Sequence, residues 1–521
     1  MATRSTIMDT NSFRPEMAAA LDPETRKLTE ERDVLGPAYR LFYRNPVHLV
    51  KGRGSHLWDA DGEEYLDVYN NVASVGHCHP RVVDALTQQA SMLNTHTRYL
   101  HENILHYAED ILSTMPDELD RIMFQCTGSE ANDLAIRVAQ TYTGGEGVIV
   151  TSEAYHGNSA LTSKLSPALG TAQTLGLTMR MIPTPDTYRL VIDGKPAAEC
   201  AAEEFGNWMA GEVRKAVADM ERHGIKFAAL LADSIFSSDG VYPDPVGYLK
   251  PVIDAVHELG GVWIADEVQP GFTRTGDAFW GFGRQGIVPD LVTSGKPMAN
   301  GLPTSMMAAR HEVLEPFAGS IPYFNTFGGN PVCMAAAQAV LDVMRDEDTM
   351  SNAKKVGAIF KDAVASLMPA HPCIGDVRGA GLYIGCEIVK PGTKGAVSLR
   401  AAGAWKVNAT VAQSRKKRGD APVVRTDTTA NAIMIANGYA PDAMTAHQRS
   451  IQQAPVDQDI SVRKITGIEP TWHMIILNED LMCLSEDQRR ALIAQLDLDT
   501  YAQMFCDSYE SNWRNTIPEQ K

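Results

Sequence analysis

Gly260-Gly261-Val262-Trp263-Ile264-Ala265-Asp266-Glu267-Val268-Gln269 and, a little further on, Leu291-Val292-Thr293-Ser294-Gly295-Lys296-Pro297 decide how this chain is read. Each is a short apolar run that stops on one chemically useful side chain, Asp266 in the first and Lys296 in the second. Short apolar runs of this kind suit strands buried on both faces. In open parallel sheets, ligands sit outside the carboxyl ends of the strands, so an acid and a lysine are offered at one crevice. A lysine amine there can condense with an aldehyde cofactor while the acid keeps a pyridine nitrogen protonated, which is what pyridoxal phosphate requires. The competing reading is a strand-end acid and a surface lysine on unrelated loops.

Composition sets the outer bounds. A chain of 521 residues has room for about three domains, or for one large and one smaller lobe. With 44% hydrophobic residues it can bury a sizeable core. The net charge of −17 argues against a general nucleic-acid surface, which needs clustered Lys and Arg. Eight cysteines without a CxxC pair imply a reducing compartment and no structural zinc. The N-terminus lacks an apolar signal core, and no run approaches the ~20 residues of a membrane span. These features imply a soluble cytoplasmic protein with neither a nucleic-acid nor a membrane partner.

Periodicity organises the rest. Residues 1–20 read as a flexible arm, and a helix is expected to begin near Asp22-Pro23. Short strands and a tight turn at Asp59-Ala60-Asp61-Gly62 follow, then a helix over Arg81–Leu93. From Arg121 strand and helix alternate: Ile122-Met123-Phe124, a helix opened by Thr127-Gly128-Ser129-Glu130, the strand Gly147–Val150, and the strand Phe227–Ala232. A helix with Leu249, Val252, Ile253 and Val256 on one face leads into Gly260-Gly261. Repeated βα units imply an α/β fold with a mostly parallel sheet covered on both faces. Pro331–Met344 reads as a buried helix, Asn352–Leu367 as an amphipathic one, and Val377–Val389 as one strand of a smaller, separate sheet. The segment 394–470 is polar and gives no assignable pattern; Met474-Ile475-Ile476-Leu477 restores order, and Ser485 with Gln488 forms a capping box for a last helix. The expected divisions are an arm (1–20), an N-terminal part of a small domain (21–90), a large cofactor-binding domain (91–345) and a C-terminal small domain (346–521).

Several residues could complete a pyridoxal-phosphate site. Gly128 and Ser129 stand where a strand gives way to a helix, and helix N-terminal N–H groups favour a phosphate; an ordinary capped helix start explains them equally well. Thr326, in Asn325-Thr326-Phe327-Gly328-Gly329-Asn330-Pro331, could add a phosphate donor or sit in a plain turn. Tyr155 could stack on one ring face, Val268 press the other and Gln269 bond the ring hydroxyl. Gly281-Phe282-Gly283-Arg284-Gln285-Gly286 fits G-x-G-x-x-G literally but lacks the βαβ setting of a dinucleotide site. His77-Cys78-His79 has no second ligand pair, so no metal site is expected. The basic run Arg415-Lys416-Lys417-Arg418 reads as a solvated face.

Six stretches occur in order: Gly76-His77-Cys78-His79-Pro80, Thr127-Gly128-Ser129-Glu130-Ala131-Asn132, Tyr155-His156-Gly157, Ala265-Asp266-Glu267-Val268-Gln269, Gly295-Lys296-Pro297 and Thr326-Phe327-Gly328-Gly329-Asn330-Pro331. Together they resemble the class III (subgroup II, ω-type) aminotransferases of the fold-type I pyridoxal-phosphate enzymes, over roughly Leu41–Lys390. The resemblance implies a large domain with a seven-stranded-type sheet and a smaller α+β domain built from the N- and C-terminal parts. It implies Lys296 as the Schiff-base lysine, Asp266 as the pyridinium partner, Gly128 and Ser129 as phosphate donors, Tyr155 as the stacking aromatic and Gln269 as the ring-hydroxyl contact. Thr326 would reach the phosphate of the neighbouring subunit, so a homodimer with shared sites is implied. Arg378 matches the arginine that holds a substrate carboxylate in some members, for which a bidentate pair is the physical reason; a structural arginine at a strand start is its other reading.

Tyr69–His77 and Leu93-Asn94-Thr95 resemble a narrower branch, with the alanine–glyoxylate aminotransferase 2 relatives and the ethanolamine-phosphate phospho-lyases. The implied activity is transfer of an amino group from a primary amine or amino acid to a small 2-oxo acid; elimination from a phosphorylated amino alcohol, or cofactor binding without turnover, are the rivals. Three departures bear on substrate recognition. Leu477-Asn478-Glu479-Asp480-Leu481 stands where the family has paired prolines, the 394–470 segment is unfamiliar, and Asp233 replaces a glutamate common among relatives.

Overall fold

The structure, a computed structural model, describes residues 13–43, 45–170, 172–389 and 392–394, and the backbone of five short strands between 405 and 476. Its centre is a seven-stranded sheet: β1 (Arg121–Gln125), β2 (Gly147–Thr151), β3 (Met179–Ile182), β4 (Phe227–Ala232), β5 (Val262–Asp266), β6 (Leu291–Ser294) and β7 (Ser305–Ala309), in the spatial order β1-β7-β6-β5-β4-β2-β3. Neighbours from β6 through β3 are parallel. Only β7 runs the other way, antiparallel to both β6 and β1.

Side chains alternate across a strand, and here the alternation feeds two cores. Trp263 and Ala265 join Leu230, Val292 and Met306 on one face, whereas Val262 and Ile264 join Leu231, Leu291 and Met307 on the other. The helices Ala202–Arg222, Leu249–Glu258 and Pro331–Asp346 cover the first face through Phe205, Val252 and Val340; Gly128–Thr143 covers the second through Leu134, Ala135 and Val138. Full burial of one such aliphatic or aromatic side chain contributes about 1.5–3 kcal/mol, and both faces must be dry because every inner strand is apolar on both.

A second, antiparallel sheet is built from Ile374–Ala380, Tyr383–Ile388, Met474–Ile476, Ala432–Ile435, Trp405–Ala409 and Arg463–Lys464. The stretch Val377–Val389, expected as one strand, is therefore parts of two: Gly381, at φ +54°, turns the chain into a hairpin. Four of the five short strands between 405 and 476 lie inside the 394–470 segment, which gave no pattern to read. In a third sheet Leu49–Arg53, His56–Asp59 and Glu64–Leu66 are joined by Gln413–Ser414, so the N- and C-terminal parts share a sheet. The capping box at Ser485 and the basic run at Arg415 lie outside the described residues. Two long helices, Glu102–Leu112 and Ala202–Arg222, carry no sharp sequence signal and were not anticipated.

The helix Thr349–Leu367 packs on the hairpin at Gly381 through a backbone contact only glycine permits. A Cβ on Gly357, in the helix Thr349–Leu367, would lie 1.8 Å from the Gly381 carbonyl oxygen. Backbone cannot retreat as a side chain can, so Gly357→Ala is expected to cost about 1–3 kcal/mol as overpacking does. A thermal melt checks this; an unchanged midpoint would contradict the contact.

Candidate active site

Five strands end at one cavity. The residues following β1 supply Gly128 and Ser129, those following β2 supply Tyr155 and His156, and β4, β5 and β6 lead to Asp233, Asp266 and Lys296. The cavity holds about 340 Å³, within the ~300–1,000 Å³ common for small-molecule sites.

Asp266, 6% exposed, has three partners. Its Oδ2 accepts from Asn132 Nδ2 at 2.8 Å and lies 2.7 Å from His156 Nδ1; its Oδ1 accepts the Val268 N–H at 3.1 Å. Asn132 is oriented in turn, because its Oδ1 accepts from Thr293 Oγ1 at 2.6 Å. Burial pushes the Asp266 pKa upward, but His156, Asn132 and the Val268 N–H together outweigh it and leave the pKa below the ordinary carboxylate value. With two partners on Oδ2 and one on Oδ1, a lone pair of Oδ1 remains for a ring N–H. Burial lowers the Lys296 pKa, opposed by the charges of Asp266 and Asp233, which raises the share of neutral, nucleophilic amine.

The phosphate end is a helix N-terminus. Thr127 caps the helix Gly128–Thr143: its Oγ1 accepts the Glu130 N–H at 3.2 Å, and Glu130 reaches back to the N–H groups of Cys126 and Thr127. The cap leaves the N–H groups of Gly128 and Ser129, which a helix cannot satisfy internally, beside the cavity. Close approach is enforced by missing side chains. A Cβ on Gly128 would meet Val268 Cγ2 at 2.9 Å, and one on Gly295 would lie 3.2 Å from the Gly128 nitrogen. The cavity thus has a cradle for an anion at one end, a carboxylate at the other and an amine between, which fits pyridoxal phosphate.

Of the residues singled out from the sequence, Gly128, Ser129, Tyr155, Asp266, Val268, Gln269 and Lys296 line this cavity together. Thr326 and Arg378 are not among its lining. Thr326 is exposed, on a segment pressed so tightly to β1 that a Cβ on Gly328 would fall 2.3 Å from the Phe124 carbonyl oxygen. Arg378 donates to the Gly240 and Val241 carbonyls, Asp376 and Glu387, and lies over the Tyr242 ring. Its guanidinium is bonded to protein partners, and the residue lies inside the strand Ile374–Ala380 and not at a strand start. G-x-G-x-x-G also finds a use: the N–H groups of Gly281 and Phe282 open a one-turn helix and bond the buried Glu267 carboxyl at 2.7 and 2.9 Å. Among the described residues no cluster of His, Cys, Asp and Glu could hold a metal.

Sequence reasoning missed Asn132, His156 and the loop 233–242. Asn132 left a trace, since a polar residue sits on the otherwise apolar buried face of its helix. The loop left none: Phe236 (φ 52°) and Val241 (φ 65°) adopt left-handed backbone without glycine, a conformation no local pattern announces.

Residues 42–416 match the aminotransferase class-III family. The chain belongs to that family. Its members use pyridoxal 5′-phosphate on a fold-type I scaffold, and this chain is an enzyme of that class. It is 38% identical over 390 residues to the alanine–glyoxylate aminotransferase 2-like protein of Drosophila melanogaster, covering 74% of this chain and 78% of that one. Identity to ethanolamine-phosphate phospho-lyase homolog 1 of Caenorhabditis elegans is 36%, with 73% and 83% covered. Among solved structures, a phospholyase from Arthrobacter in complex with phosphoethanolamine superposes with a TM-score of 0.72 at 32% identity, over 91% of this chain and 99% of that chain. An ω-transaminase from Thermomicrobium roseum (TM-score 0.68, 22% identity, 92% and 98% covered) shows the shared fold.

A pH prediction follows from the loop 233–242. Asp239 accepts from Thr151 Oγ1 at 2.9 Å and Thr184 Oγ1 at 2.8 Å, yet burial pushes its pKa from 3.8 up to about 7. Such a carboxyl binds its proton more tightly folded than unfolded. Its contribution to stability is therefore full below pH 3.8 and is lost as pH rises to about 7. Asp239→Asn should flatten the fall of melting temperature across that window; an unchanged slope would contradict the assignment.

Proposed function

We propose that the cavity transfers an amino group from a primary amine or amino acid to a small 2-oxo acid, with both substrates meeting the cofactor beside Lys296. One observation carries this reading: Lys296, the buried Asp266 carboxylate and the N–H groups of Gly128 and Ser129 converge on one cavity. When bound, pyridoxal 5′-phosphate supplies an electron sink for the bonds at the amine-bearing carbon. Gly128 and Ser129 hold its phosphate, Tyr155 and Val268 pack its ring faces, Gln269 bonds the ring hydroxyl, and Asp266 keeps a proton on the ring nitrogen. Lys296 Nζ tethers the group at rest and, once displaced, takes the proton from the substrate carbon as general base.

A homodimer completes the site in this reading. Leu100 (100% exposed), Tyr99, Leu105 and Phe324 surround an apolar cavity of about 390 Å³, and Phe327, 69% exposed, neighbours Thr326. A contiguous apolar surface of this kind marks an interface, and Thr326 of the partner subunit would then reach the phosphate. Leu100→Glu is expected to yield monomers in sedimentation equilibrium and to weaken cofactor binding; a dimer of unchanged affinity would contradict shared sites. Residues 21–90 and 346–521 are grouped as the small domain because their strands pair at Gln413–Ser414. A reducing, cytoplasmic location is part of this reading and rests on eight cysteines without a CxxC pair. No described helix is long and apolar enough to cross a membrane.

Elimination of phosphate from a phosphorylated amino alcohol is the second reading, favoured by the likeness to the Arthrobacter phospholyase. Two parallel assays separate them: an amine donor with pyruvate, and phosphoethanolamine with phosphate detection. Amine transfer without phosphate release is the expected result; phosphate release alone would replace it with elimination. A coloured protein inert in both would be a binding protein.

A further inference from the structure

Three separate pieces of chain meet on one side chain lining the cavity, the carboxamide of Gln269. Its Nε2 donates to Ser237 Oγ at 2.8 Å, while its Oε1 accepts from Tyr383 Oη at 2.8 Å and from Asn71 Nδ2 at 3.1 Å. Ser237 in turn donates its hydroxyl proton to Asp233 Oδ2, which also accepts the Ser237 N–H at 3.0 Å. Asp233 Oδ1 accepts the Ile235 N–H at 2.8 Å.

The direction of every bond follows from one proton. A serine hydroxyl has a single donor and an ionised carboxylate only accepts. Burial raises the Asp233 pKa to about 6, so the group is ionised at neutral pH and above. The Ser237 proton is then committed to Asp233, and its oxygen can only accept. Gln269 must turn its NH2 group to Ser237 and its carbonyl to the donors Tyr383 and Asn71. An amide otherwise offers two orientations of nearly equal shape; here each end has an assigned partner.

Ser237 is itself held firmly. Neighbouring Ser238 accepts the Tyr155 N–H at 3.1 Å, Asp239 is bonded by Thr151 and Thr184, and the Gly240 and Val241 carbonyls are gripped by Arg378. Nε2 of Gln269 carries two protons, and only one goes to Ser237. We propose that Ser237 is a positioning residue that locks the Gln269 amide so that its second N–H serves as donor to the anionic oxygen of the bound ring. This rests on the pyridoxal-phosphate reading of the cavity.

The test uses full-length protein reconstituted with pyridoxal 5′-phosphate and follows the visible absorption band as pH is raised from neutrality. A donor to the ring oxygen stabilises its negative charge and lowers the pKa read from that band. Ser237→Ala frees the amide to turn and should raise this pKa by roughly half to one unit, the worth of one ordinary hydrogen bond. Tyr383→Phe, which releases the other end of the amide, should move it the same way. In a Gln269→Ala background Ser237→Ala should add nothing, a non-additivity that a general structural role would not produce. Parental titration in both single variants, or an undiminished Ser237→Ala shift without Gln269, would overturn the proposal. A parent protein that stays colourless with added cofactor would overturn the cofactor reading and this inference with it.

Discussion

A carboxylate shut away from water persists only where its desolvation is offset by partners, and the architecture of this enzyme is arranged to supply them to Asp266. The partners come from three directions: Asn132 from a helix on one face of the sheet, His156 from the loop after β2, and the Val268 N–H from the turn that Asp266 itself begins. Thr293 on β6, directly paired in register with Asp266 on β5, orients Asn132. The parallel pairing of these two strands therefore places Lys296 close to Asp266 and also sets the amide that keeps Asp266 charged.

Much of this was legible because it is local or periodic. The apolar runs ending at Asp266 and Lys296 are strands, Thr127 with Glu130 is a capping box, and Asp22 caps the helix Pro23–Glu31. The seven residues singled out from the sequence that line the cavity lie in motifs where strand gives way to turn or helix. What escaped depends on contacts distant in sequence. Antiparallel β7 looks like any buried strand, and its direction is decided by pairing with β6 and β1. Arg378 resembles the family's substrate arginine, yet Glu387 and two carbonyls of the loop 233–242 bond it. No pattern near Arg378 names those partners.

The loop 233–242 links the smaller sheet to the cavity. Arg378, from the smaller sheet, grips its carbonyls, and Asp233 stands on the cavity wall at its other end. Tyr383, from the same sheet, reaches Gln269 directly. The packing of the smaller sheet is thus felt at the cavity through two side chains on adjacent strands. Asp233 is bonded by its own loop, through Ile235 and Ser237. The G-x-G-x-x-G stretch serves the same end: its helix N-terminus receives the Glu267 carboxyl, next to Asp266 in the chain.

The central claim is that Lys296 is the amine at which the cofactor is attached. The most direct measurement is borohydride reduction of the yellow holoprotein, followed by proteolysis and mass spectrometry of the modified peptide. The account predicts a pyridoxyl-phosphate adduct confined to the peptide containing Gly295-Lys296-Pro297. An adduct on another lysine, or none on a fully coloured protein, would contradict it.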